Sequence, residues 1–179
     1  NVNLYTSDNG SSWSDHQITH GYPGGTIVSI LSTAYFSGKY YVLMADILST
    51  TPVFKIAYSS NLASWSVYYA PLGYSPKFKL TASGPNLVHA GLAYSTDGLT
   101  WTASTGIPPS YSVLTDVISF NGSLYTMVLE PSYADPLALY SSSDNGASWS
   151  KHTQYGSGVD YYSWGATDGS LVVFLSDSF

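Results

Sequence analysis

"TSDNGSSW", residues 6–13, returns almost letter for letter as "SSDNGASW" at 142–149. Both copies hold a hydroxyl, an Asp, a Gly and a Trp at the same offsets, which sets coincidence aside. Two shorter relatives lie between them, "SSNLASW" (59–65) and "STDGLTW" (95–101). Each copy follows an apolar residue and a Tyr: "NLY", "IAY", "LAY", "ALY". The unit is an apolar strand ending in Tyr, a hydroxyl-rich acidic turn, then Trp, and it occurs four times.

Upstream of the turns a second pattern repeats: apolar strand, Gly-containing turn, apolar strand. It reads "AYFSGKYYVLMAD" (34–46), "LTASGPNLVHAG" (80–91), "ISFNGSLYTMVLE" (118–130) and "WGATDGSLVVFLS" (164–176). Asn-Gly, Asp-Gly and Ser-Gly between apolar runs are hairpin signals, because such turns need positive φ. Each repeat is thus a four-stranded antiparallel sheet. Four such sheets at intervals of roughly 45 residues are the mark of a β-propeller. The tryptophans of the four turns fall at 13, 65, 101 and 149, and a fourth interval of similar length closes when the chain ends are joined. The expected fold is all-β: a four-bladed propeller in one domain, 1–179, with blades at about 27–70, 77–106, 112–154 and 160–179 plus 1–20. In it the N- and C-terminal strands share one blade and remove the free sheet edges.

The motif S/T-x-D-x-G-x-T/S-W resembles the Asp-box, or BNR, repeat of sialidases and related propellers. Thr6, Asp8, Gly10, Ser12 and Trp13 match it, as do Ser142, Asp144, Gly146, Ser148 and Trp149. Ser95, Asp97, Gly98, Thr100 and Trp101 fit a version one residue shorter, while Ser59, Asn61, Ser64 and Trp65 form a degenerate copy with Leu62 in the glycine place. The physics of the motif is that of a scaffold. The acid accepts backbone N–H bonds, Gly supplies positive φ, and Trp wedges apolar bulk between sheets. The resemblance implies that these turns lie opposite the ligand-binding face.

Composition narrows the function. With 17 Tyr, 16 Gly and only 9% charged residues, the surface is built from hydroxyls rather than ion pairs. Net charge is −6 and all five basic residues are lysines, so no cluster of cations exists to displace counterions from nucleic acid. Absence of Arg also argues against sialidase activity, whose substrate carboxylate is gripped by bidentate guanidinium groups in the resembling family. Zero cysteines exclude disulfides and thiol chemistry. No apolar run approaches the roughly 18 residues of a membrane span, so no membrane insertion is expected. A chain that opens on Asn1 reads as a piece of a larger protein or assembly.

The loops opposite the acidic turns carry the candidate site. Those between blades are "ITHGYPGG" (18–25), "APLGYSPK" (70–77), "GIPPSYS" (106–112) and "TQYGSGVDYY" (153–162), each with a tyrosine beside Gly or Pro: Tyr22, Tyr74, Tyr111 and Tyr155. Such rings suit stacking on sugars or on another protein. His20, His89 and Tyr133 lie on the same face and complete the expected ligand-binding set. Carboxylates and loop carbonyls around an axial channel would suit calcium, with Asp116, Asp135 and Asp160 as candidate ligands; no cofactor is otherwise called for. The expected function is a non-catalytic recognition module. It would bind glycans or a cell-surface receptor, as the head of a viral spike or secreted adhesin, at an extracellular, cell-surface or virion-surface location. The alternative is a glycoside hydrolase using Asp46, Asp116 or Glu130, since that chemistry needs paired carboxylates.

Overall fold

In the computed structural model, residues 1–22, 28–46, 53–70, 79–90, 92–108, 110–113, 116–130, 137–155, 163–167 and 172–176 are described. All regular elements among them are strands, and every strand pairing is antiparallel. Among the described residues no helix is long and apolar enough to cross a membrane. The chain forms two compact units, Asn1–Pro71 and Leu72–Phe179.

The first unit holds a hairpin of β1 (Val2–Thr6) and β2 (Ser14–Ile18). Beside it is a sheet in the order β3 (Val28–Phe36), β4 (Lys39–Asp46), β5 (Phe54–Ser59) and β6 (Ser66–Tyr69). The β3–β4 turn is Ser37-Gly38, with φ of 47° and 78°, the doubly positive geometry that a two-residue hairpin favours. The uninterrupted apolar run of β4 reflects burial on both faces: Tyr41, Val42, Leu43 and Met44 are fully buried. Val42, Met44 and Ala57 pack with Ile18, and Val2, Leu4, Val28, Trp65 and Val67 close round them. Each fully buried aliphatic side chain there contributes about 1.5–3 kcal/mol.

The second unit begins with a sheet of β7 (Leu80–Ser83), β8 (Asn86–His89), β9 (Ala93–Ser95) and β10 (Thr102–Ala103). Next comes a sheet in which β11 (Ser112–Val113) and β12 (Ile118–Phe120) both pair with β13 (Ser123–Leu129). That strand is followed by β14 (Leu137–Ser142) and β15 (Ser150–Tyr155). A hairpin of β16 (Ser163–Thr167) and β17 (Val172–Ser176) completes it. Its core joins Val88, Ile107, Val117, Leu124, Val128, Ala138, Tyr140 and Trp149. Among the described residues the terminal hairpins β1–β2 and β16–β17 each form a two-stranded sheet.

The four-fold turn motif is present with one change of register. In the 95–101 copy Ser95 Oγ accepts the Gly98 N–H, while Asp97 Oδ1 accepts the N–H groups of Leu99 and Thr100, both at 2.7 Å. The first copy does the same with Ser7 and Asn9, not with Thr6 and Asp8. Gly10 N–H donates to Ser7 Oγ, and Asn9 Oδ1 accepts from the N–H groups of Ser11 and Ser12. The apparent eight-letter match with 142–149 hides an extra residue in the latter. There Gly146 N–H reaches Ser142 Oγ, and Asp144 Oδ1 accepts from Ser148 N–H. The copy read as degenerate is complete: Asn61 Oδ1 accepts from Ala63 and Ser64 N–H, and Leu62 takes φ of 61° in the glycine place. The expected wedge is made by Trp149, which is buried, but Trp13 is 62% exposed.

The longer fourth turn does more than close a hairpin. It reaches the β7–β8 hairpin, where Ser83 Oγ donates to Asn145 Oδ1 and Asn86 Nδ2 donates to Asn145 O. It also reaches the chain after β10, where Thr105 N–H donates to Ala147 O and Trp149 N–H to Thr105 O. The sheets β7–β10 and β11–β15 are clasped here by main chain.

Candidate functional site

Two polar clusters stand out, one in each unit. In the first unit Lys55 lies within β5 in the run "VFKIAY", a cation amid apolar letters. Alternation along the strands puts Met44, Lys55 and Tyr69 on one face, since they are cross-strand partners. The ammonium is buried, and it donates to the carbonyls of Gly21 (2.7 Å) and His20 (3.2 Å). It sits over the rings of Tyr22 (4.1 Å) and Tyr69 (4.7 Å), so cation–π attraction offsets part of its lost hydration. Tyr22 Oη donates to Val53 O at 2.8 Å, and burial, with the charge of Asp46 and then Tyr69, pushes its phenol up to about 12. His20 Nδ1 accepts the Tyr22 N–H at 3.0 Å; burial and the nearby positive charges of the terminal amine and Lys55 lower its pKa. A shallow cleft of about 110 Å³ opens beside this cluster, lined by His20, Gly21, Lys55, Val67, Tyr68 and Tyr69.

In the second unit Glu130 directly follows β13. Thr126 pairs with Tyr140, and Tyr140 with Lys151, so the period of two brings Glu130, Tyr140 and Lys151 to one face. Glu130 Oε1 accepts from Tyr140 Oη at 2.9 Å and Oε2 from Lys151 Nζ at 2.8 Å, with the glutamate side chain 8% exposed. Burial first, and then the bond to and charge of Glu130, raise the Tyr140 phenol. In the same unit Lys79 and Asp116 form a half-exposed ion pair at 3.0 Å.

The candidates from the sequence divide accordingly. Tyr22 and His20 come together, but the Tyr22 hydroxyl and one ring face serve the protein itself. Tyr111 packs against the core of the second unit, with its N–H on Pro108 O. His89 ends β8, fully buried against the edge of Trp101, with neither ring nitrogen hydrogen-bonded among the described residues. Burial lowers its pKa to about 4. Tyr155 ends β15, paired in register with Leu137. Tyr74, Tyr133, Asp135 and Asp160 lie outside the described residues. Of the expected calcium ligands only Asp116 is therefore described, and no three His, Asp or Glu side chains gather to hold a metal among the described residues. Sequence reading missed Lys55, Tyr140, Lys151 and Lys79. A lysine inside an apolar strand was the available signal for the first.

No family model and no curated protein matches the chain. Among solved structures it is similar to the exo-β-1,3-galactanase of Phanerochaete chrysosporium bound to β-1,3-galactotriose. The TM-score is 0.57 at 16% identity, over 98% of this chain and 49% of that one. The α-L-arabinofuranosidase of Podospora anserina in complex with cellotriose also aligns, with TM-score 0.43 and 14% identity, over 90% of this chain and 66% of that one. The chain thus spans about half the length of the galactanase. Its fold is that of a β-propeller. The expectation of a non-catalytic recognition module, and of no enzyme, is corrected by this comparison, since the galactanase whose fold it resembles is a glycoside hydrolase.

Proposed function

We propose that the chain is the propeller part of a glycoside hydrolase acting on a neutral glycan. One observation carries this reading: Asp46 and Glu130 occupy the same place in two repeats. Asp46 ends β4 and Glu130 directly follows β13, each the same number of residues past a hairpin glycine, Gly38 or Gly122, and past an equivalent phenylalanine, Phe36 or Phe120. Near each is a tyrosine whose phenol is raised first by burial and then by that carboxylate, Tyr22 for Asp46 and Tyr140 for Glu130. Glycoside hydrolysis needs one carboxylic acid to protonate the leaving oxygen and one carboxylate to attack or to activate water. Glu130, Asp46 and Asp116 are the candidates for those two roles. The four turn motifs, read as Asp-box repeats of a four-bladed ring, form the scaffold in this proposal.

The purified chain would be incubated with neutral oligosaccharides, including β-1,3-galactotriose, and products followed by chromatography. Release of a shorter sugar is expected, with kcat/KM falling by about a hundredfold or more in the Glu130→Gln, Asp46→Asn or Asp116→Asn proteins that carry the acid and base roles. Binding without product, or no engagement of any glycan by a folded sample, would overturn it.

A further inference from the structure

Three Asn-Gly dipeptides occur in the described residues: Asn9-Gly10, Asn121-Gly122 and Asn145-Gly146. The geometry points to Asn121 as a site of spontaneous covalent modification, deamidation with water as co-reactant, from which the other two are protected by the fold. In this reaction the Gly nitrogen attacks Cγ of the preceding Asn. An N–C bond forms, the bond from Cγ to Nδ2 breaks, and ammonia leaves. Water then opens the cyclic imide at either carbonyl to give Asp or its β-linked isomer. Attack requires a free glycine N–H and an Asn side chain able to turn toward it.

At two of the three places neither condition is met. Gly10 N–H donates to Ser7 Oγ at 2.7 Å, and Asn9 Oδ1 is fixed by Ser11 N–H, Ser12 N–H and Ser12 Oγ. Gly146 N–H donates to Ser142 Oγ at 2.8 Å in a buried setting, and Asn145 is held by Ser83 and Asn86. Asn121 and Gly122 instead form the exposed tip of the β12–β13 hairpin. Open space surrounds Gly122, and the described residues offer no hydrogen bond to the Asn121 side chain or to Gly122 N–H.

Asn9 and Asn121 are both followed by Gly-Ser, so their intrinsic reactivity is matched and any difference reports structure. The full chain would be held in mildly alkaline buffer, native and in denaturant, and each site followed by peptide mapping with mass spectrometry. In the native protein Asn121 is expected to convert at least about tenfold faster than Asn9 or Asn145, because at those sites several hydrogen bonds must break before attack. In denaturant Asn9 and Asn121 should converge. Ser7→Ala should speed Asn9 severalfold and leave Asn121 unchanged, which also reports an intact fold. Conversion of Asn9 or Asn145 at the rate of Asn121 in the native protein would overturn the assignment, as would indifference of Asn9 to Ser7→Ala.

Discussion

Gly106 lies so close to the main-chain carbonyl of Trp149 that a β-carbon at residue 106 would overlap that oxygen. Its φ of 92° adds a conformation that L side chains rarely adopt. The contact is tight because Trp149 N–H bonds to the neighbouring Thr105 carbonyl, drawing the β7–β10 and β11–β15 sheets together.

Gly106→Ala is therefore expected to cost about 3 kcal/mol or more, through backbone strain together with displacement of the clasp. Gly10→Ala, with open space around it and the same sign of φ, should cost only about 1 kcal/mol. Urea unfolding of the two variants measures the difference.

The turn motifs predict a second pair of effects. The N–H groups of Thr100 and Leu99 hold the Asp97 carboxyl well below the ordinary carboxylate range. A group whose pKa is depressed by folding contributes stability above its unfolded value, near 4, and that contribution fades as pH falls below it. Asp97→Asn should lower the melting temperature at neutral pH and narrow the gap between neutral and acidic samples. Asn61→Asp should do the reverse, stabilising by about 0.5–1 kcal/mol at neutral pH, because a charged acceptor strengthens the bonds from Ala63 and Ser64.

His89 sets a pH limit of its own. Folding lowers its pKa from 6.5 to about 4, so the neutral ring is favoured in the native state. The penalty for protonation is absent above pH 6.5, grows as pH falls, and reaches on the order of 3 kcal/mol near pH 4. His89→Leu should flatten the pH dependence of urea midpoints across this window, being most stabilising relative to the parent at the acidic end.

For the Glu130 cluster, Lys151→Met leaves a buried carboxylate with the Tyr140 phenol alone. A loss of about 2 kcal/mol is expected, less than for a fully buried pair because Lys151 is partly exposed. Adding Glu130→Gln to that variant should recover part of the loss, and a double-mutant cycle in urea reads the coupling.

What could be read from the letters was what neighbours in sequence decide. The Ser37-Gly38 and Asn121-Gly122 hairpins and the hydroxyl-acid turns depend on a few adjacent residues, and they were legible. The register of the first turn was not, because Asp8 and Asp144 align by letter while Asn9 and Asp144 align by hydrogen bonding. Likewise an amide oxygen accepts N–H bonds as an acid does, so Asn61 looked like decay. The Lys55 enclosure, the Glu130–Lys151 pair and the isolation of His89 depend on residues brought from distant strands. Strand alternation says which face each side chain takes, but not what will stand opposite.

Lys55 carries one further implication. It grips residues 20 and 21 by their peptide oxygens, which every amino acid possesses, while the His20 ring accepts the Tyr22 N–H, so the segment has two anchors and only one of them depends on the side chain at position 20. Exchange of His20 would remove one anchor and leave the other, so the lineage of this chain can drift at position 20 at lower cost than at Lys55.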